Sequence, residues 1–179
     1  HEAKQNNNNP SDDCANRGKK PVNVDIARPE GQVIIRALEK SADIMMEKFK
    51  VGDLKRYKLD YESISAINPG IIYCSVTGFG QTGPYSPRPG YDAIFQAMGG
   101  LMSVTGHIDG EPGAGPMKVG PSIVDYMTGM NTSIGILAAL YHRKANGGAG
   151  PHIDVCLPDT VIASMLHYAQ TKLVKGKAP

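Results

Sequence analysis

Apolar and polar residues alternate at Val22, Asn23, Val24, Asp25 and Ile26, a period of two that predicts a short strand over residues 21–26. The period then lengthens. Pro29 stands at a first helical turn, Val33, Ile34, Ala37 and Leu38 follow at helical spacing, and Lys40 lies near the end. Ile44 to Met46 is a short apolar run, expected as a buried strand, and residues 48–53 form a loop. Asp60 to Asn68 reads as a short helix capped by Asp60, with Ser63, Ile64 and Ile67 inside. Gly70 to Val76 is strongly strand-like, whereas 77–89 is rich in Gly, Pro and Ser and must be a loop. Tyr91 to Met98 is expected to be helical, and 105–120 is a second long loop. The clearest helix spans Met127 to Arg143, ending in His142, Arg143 and Lys144, cations suited to a helix C-terminus. Ile153 to Leu157 predicts a strand, and Asp159 to Lys172 a final amphipathic helix. Strands and helices alternate without internal repeat, so the expected class is α/β with a largely parallel sheet.

Residues 1–20 depart from this order. They are polar and contain four consecutive asparagines, Asn6 to Asn9, and so predict a disordered segment that buries too little to offset its ordering entropy. The remainder, 21–179, is long enough for one core. Hydrophobic residues make up 41% and charged residues 20%, ordinary for a globular chain, and a net charge of +2 points to neither a nucleic-acid binder nor an acidic tail. No apolar run approaches the ~20 residues that cross a bilayer; the longest, Ile134 to Tyr141, is expected as buried helix. Cys14, Cys74 and Cys156 are odd in number and widely spaced, which fits free thiols in a reducing compartment. The expected location is the cytoplasm or mitochondrial matrix, not the secretory route.

Three segments carry candidate chemistry: DIARPEGQVIIRALEKSADIMMEKFKVG, NPGIIYCSVTGFGQTGPYSPRPGYDAIFQAMGGLMSVTG and KVGPSIVDYMTGMNTSIGILAALYHRKANGGAGPHIDVCL. Asp125 follows the loop VGPSIV and precedes the helix expected from Met127, so its ionised form is favoured there by about 0.3–1 kcal/mol. On the residues alone, a plain helix cap, common for aspartate, is the stronger reading of such a junction. Gly78 and Gly80 in TGFGQTG do not form the GxGxxG spacing that opens a dinucleotide-binding helix, since Pro84 and Pro87 follow. His107, His142, His152 and His167 share no metal-ligand spacing.

Together, over about residues 16–170, the three segments resemble family III coenzyme A transferases, the formyl-CoA transferase and carnitine CoA-transferase group. IIYCSVTGFGQTGP and HIDVCL lean towards its succinate–dicarboxylate (glutarate) branch. The resemblance implies a Rossmann-like parallel sheet flanked by helices, part of the large domain of an interlocked homodimer. It implies an acyl-CoA and a small carboxylic acid as substrates, with no resident metal or cofactor. It makes Asp125 the nucleophile, which carries an acyl anhydride and then a CoA thioester. It places Val24, Asp25, Arg28, Lys48, Phe49, Lys50, Arg56, Arg88 and Tyr91 at the CoA site, with Phe49 stacking on adenine and the cations meeting phosphates. Lys48 and Val51 stand where the family usually has asparagine and proline, and Ala27 where it has lysine. In the related acyl-CoA racemases a histidine occupies the place of Tyr91; a phenol, with an ordinary pKa near 10, is a poor base for an α-proton. Transfer is therefore expected over racemisation, with a non-catalytic CoA-binding fragment as the remaining alternative. The family's first strand–turn–helix would precede residue 1, and its glycine-rich loop and small domain would follow residue 179.

Overall fold

A computed structural model describes residues 16–177. Cys14 and most of the asparagine-rich 1–20 segment lie outside the described residues. Three strands, β1 (Ile44–Glu47), β2 (Ile72–Thr77) and β3 (His152–Cys156), form a parallel sheet in the order β1-β2-β3. Ile44 aligns with Ile72 across the first pair, and Tyr73 with His152 across the second. Among the described residues six α-helices of known extent accompany it: α1 (Pro29–Glu39), α2 (Tyr61–Ile67), α3 (Asp92–Met98), α4 (Ile123–Ala145), α5 (Leu157–Ser164) and α6 (Leu166–Lys175).

One apolar cluster gathers Leu54, Leu59, Ile64, Ile71 and Tyr73, with Ile26, Ile35 and Met45 packed against it. A second joins Phe95, Val124, Leu157 and Val161 and fixes α3, α4 and α5 to one another. The long helix α4 packs on β2 and β3, and Gly135 gives it close approach to Ile153. Its C-terminal end is tied down by Arg143, which donates to the Gly70 carbonyl at 2.7 Å and to Asp43 Oδ1 at 2.8 Å. Both anchors lie at the starts of strands, so the helix is locked to the sheet's N-terminal edge.

Several expectations are corrected. Residues 21–26 form no strand: the Asp25 side chain accepts the Ala27 N–H and its carbonyl accepts the Arg28 N–H, so the chain turns into α1 instead of pairing with β1. Gly31 makes that turn possible, because a Cβ there would sit 2.0 Å from the Asp25 carbonyl oxygen. On α1 it is Ile35 that meets the core, while Val33, Ile34 and Leu38 stay exposed. β1 is an edge strand, with Ile44 and Met46 exposed rather than buried. The run Ile134–Tyr141 is helical, but Ile134, Leu137 and Tyr141 are exposed. Asp60 precedes α2, yet its carboxylate accepts from the Ser63 hydroxyl and not from a backbone N–H. The last helix breaks at Met165, whose N–H is shared between the carbonyls of Val161 and Ile162. Finally, α4 begins four residues before Met127, which places Asp125 inside its first turn.

Candidate active site

Parallel strands present their carboxyl ends to one edge, and the loops leaving those ends build a crevice there. Here the end of β1 and the segment after it (Met46–Val51), the end of β2 with Gly78, the loop Ser86–Tyr91 and one face of α4 enclose a cleft of about 900 Å³. The face of α4 consists of Asp125, Thr128, Gly129, Thr132, Ser133 and Ile136, successive positions of one helical stripe. Five of these six are small, which leaves room for a ligand beside the helix. The hydroxyls of Thr128, Thr132 and Ser133 donate to the carbonyls of Val124, Thr128 and Gly129, so they are already used within the helix.

Of the ten sequence candidates, six line this cleft: Lys48, Phe49, Lys50, Arg88, Tyr91 and Asp125. Val24, Asp25, Arg28 and Arg56 are not among its lining residues. Asp25 and Arg28 form an exposed pair with each other at 3.5 Å. Arg56 pairs with Asp53 at 3.7 Å and lies over the Tyr57 ring. Phe49 is half exposed, and its N–H donates to the Glu47 carboxylate at 2.7 Å, which folds that acid back along the loop. The Arg88 guanidinium lies over the Tyr85 ring, 4.3 Å from its centre. Tyr91 is 79% exposed and is not a core aromatic.

Asp125 differs electrostatically from the expectation of a helix terminus that favours its charge. Asp125 is solvent-exposed as a residue, yet partial burial of its carboxyl, and then the negative charge of Asp92, push its pKa above the ordinary carboxylate range, while Lys48 draws it partly back. The first-turn N–H groups that would stabilise the Asp125 charge are already taken: Asp92 Oδ1 accepts those of Val124 and Asp125, at 2.8 and 3.2 Å. Cys74 and Cys156 are both buried, and burial pushes both thiols up to about 11, so neither competes as a nucleophile. Among the described residues no group of His, Cys, Asp or Glu is arranged to hold a metal ion. No helix among them is long and apolar enough to cross a membrane.

Asp92 and Gln96 were not singled out in the sequence, because their role depends on contacts between helices some 30 residues apart. The small stripe on α4 was legible in principle: spacings of three and four counted from Asp125 reach Thr128, Gly129, Thr132 and Ser133.

The chain is 44% identical to the succinate–glutarate CoA-transferase of Agrobacterium fabrum over 166 residues, 93% of this chain and 40% of the relative. It is 40% identical to human succinyl-CoA:glutarate CoA-transferase over 162 residues, 90% of this chain and 36% of the relative. The chain thus spans well under half the length of these curated relatives. Among solved structures, a CAIB/BAIF family protein from Brucella suis superposes with a TM-score of 0.84 at 45% identity, covering 92% of this chain and 42% of that one. A protein from Mycobacterium tuberculosis gives 0.80 at 29% identity, covering 89% of this chain and 45% of that one. The family model described as CoA-transferase family III matches residues 2–179, and the chain belongs to that family.

Proposed function

We propose that the complete protein moves CoA from an acyl-CoA, succinyl-CoA foremost, to a second carboxylic or dicarboxylic acid, with Asp125 as the group that carries the acyl unit and then CoA. The observation that carries this reading is the position of Asp125: it lines a cleft of about 900 Å³ together with Phe49, Lys48, Lys50 and Arg88. An aromatic face with nearby cations suits an adenine and its phosphates. The names of the relatives, which pair succinyl-CoA or succinate with glutarate, favour a dicarboxylate acceptor.

The chemistry closes without redox change. An Asp125 carboxylate oxygen bonds to the thioester carbonyl carbon, the C–S bond breaks, and CoA leaves as thiolate. The thiolate then attacks the Asp125 carbonyl carbon of the anhydride and releases the first acid, which leaves Asp125 as a CoA thioester. A carboxylate of the second acid attacks that thioester and again expels the thiolate. Attack of the thiolate on the new acyl carbon gives the product thioester and frees Asp125. No α-proton moves at any step, and Tyr91 lines the cleft as part of its wall.

Following the resemblance, we take the complete protein to be a homodimer and residues 21–179 to be part of its large domain. The central test is trapping. Incubation of the complete protein with succinyl-CoA should give a hydroxylamine-sensitive adduct at Asp125, and Asp125→Ala should abolish transfer. An adduct on another residue, or near-normal turnover of the alanine variant, overturns the reading.

A further inference from the structure

The start of α4 is held by a residue from another helix. Ser122 stands at its N-cap but makes no side-chain cap hydrogen bond. Its place is taken by Asp92, only 6% exposed, whose Oδ1 accepts the N–H groups of Val124 and Asp125. The other carboxylate oxygen is fixed by Gln96 Nε2 at 2.6 Å. Gln96 is fully buried, and its own oxygen accepts the Val119 N–H at 2.9 Å. One turn of α3 therefore grips both the first turn of α4 and the loop that leads into it.

We propose that Asp92 is the positioning residue for Asp125, fixing where its carboxyl meets the cleft and keeping a negative charge against it that acylation relieves. The proposal rests on Asp125 being the acyl-carrying group. A neutral serine, threonine or asparagine would satisfy the same N–H groups. A carboxylate adds a cost: two like charges share one helix start while Asp125 is free. When Asp125 attacks the thioester its negative charge passes to the departing sulfur, so the repulsion falls as the new bond forms. An interaction that is worse in the ground state than in the transition state accelerates the step. The charged groups that act on Asp125 are Asp92 from α3 and Lys48 from the segment at the end of β1; Glu47 and Lys50 from that segment, and Arg88 and Tyr91 from the loop before α3, line the same cleft. Lys48 opposes Asp92, and burial acts in the same direction as Asp92.

The test compares Asp92→Asn and Asp92→Ser with Gln96→Leu in the complete protein. Transfer rates are measured across pH, and the Asp125 carboxyl is titrated by carbon-detected NMR. Either neutral Asp92 variant should lower kcat by about tenfold, equivalent to roughly 1.4 kcal/mol. KM for acyl-CoA should stay within about twofold, because a uniform binding contact is not lost. The acid limb of kcat and the Asp125 titration should both move to lower pH. Gln96→Leu should melt earlier but keep the acid limb in place, since the charge of Asp92 remains. An unmoved acid limb in the Asp92 variants, an equal movement in Gln96→Leu, or loss of fold in both neutral variants would each reduce Asp92 to a structural cap and overturn the proposal. The NMR titration needs no turnover, so it reports on Asp92 even if Asp125 proves not to carry the acyl group.

Discussion

Gly90 lies against Phe95 so closely that a Cβ on Gly90 would stand 2.1 Å from the ring's Cζ. Phe95 is fully buried, with Phe79 at 5.1 Å between ring centres, and has no space into which to retreat. Gly90→Ala should therefore cost about 1–3 kcal/mol, the range for overpacking a filled core. Because Gly90 immediately precedes Tyr91 and lines the cleft, the variant should also raise KM for acyl-CoA. Chemical denaturation and steady-state kinetics check the two effects, and a variant with unchanged stability would show that Phe95 is less confined than its burial indicates.

A second prediction concerns pH. The Asp125 pKa is raised in the native chain, by burial first and the Asp92 charge second. A raised native pKa favours the protonated form, so Asp125 contributes stability below its ordinary pKa and loses it as pH rises through the native value. Asp125→Asn removes that loss. Its melting temperature should exceed the parent's at neutral pH, and the difference should shrink on acidification. A constant difference across the range would place the effect outside Asp125 ionisation.

Glu39 offers an independent test of the same principle away from the cleft. Burial raises its pKa, and its Oε2 is buried without a hydrogen-bond partner. Glu39→Met keeps the length and apolar stem and removes the unsatisfied oxygen. It should stabilise the protein by about 1 kcal/mol at neutral pH. The gain should vanish in acid, where Glu39 is protonated. Urea unfolding at two pH values reads the outcome.

For recognition of the thioester, Phe49→Ala should raise KM for acyl-CoA by about tenfold, within the range of a lost aromatic–base stack. It should leave kcat nearly unchanged, because the ring contributes equally to ground and transition states. Phe49 is half exposed, so its melting temperature should hardly move. A fall in kcat with unchanged KM would remove Phe49 from the adenine end of the cleft.

Local pattern was enough for the elements whose order is set by neighbours in the chain. β2 was legible as a short run dominated by β-branched and aromatic residues, Ile71, Ile72, Tyr73 and Val76, and its loop by Gly and Pro. What escaped depends on distant partners. The true start of α4 at Ile123 is fixed by the Asp92 carboxylate, and PSIV carries no local sign of that. The alternation at Val22–Ile26 looked like a strand because periodicity does not reveal whether a neighbouring edge is available; an Asp25 side-chain turn took its place. The apolar face of α4 suggested burial, yet it is the small polar stripe beginning at Asp125 that faces the cleft. Of the ten candidate residues, the six in the cleft lie on α4 or in the segments leaving β1 and β2. The other four lie on surfaces whose relation to that cleft has no signature in spacing.

The helix that bears Asp125 is anchored at both ends by residues outside the cleft walls. Asp92 holds its first turn, and Arg143 ties its last turn to Asp43 and Gly70. The cleft wall at Lys48–Val51, by contrast, shares none of those anchors, whereas the wall at Ser86–Tyr91 runs directly into Asp92. On the proposed reading, the Lys48–Val51 segment that would hold the nucleotide is therefore supported separately from the helix that carries Asp125. Such a division would let evolution, or an engineer, vary that segment to change the fit to CoA while the Asp125 carboxyl keeps its place.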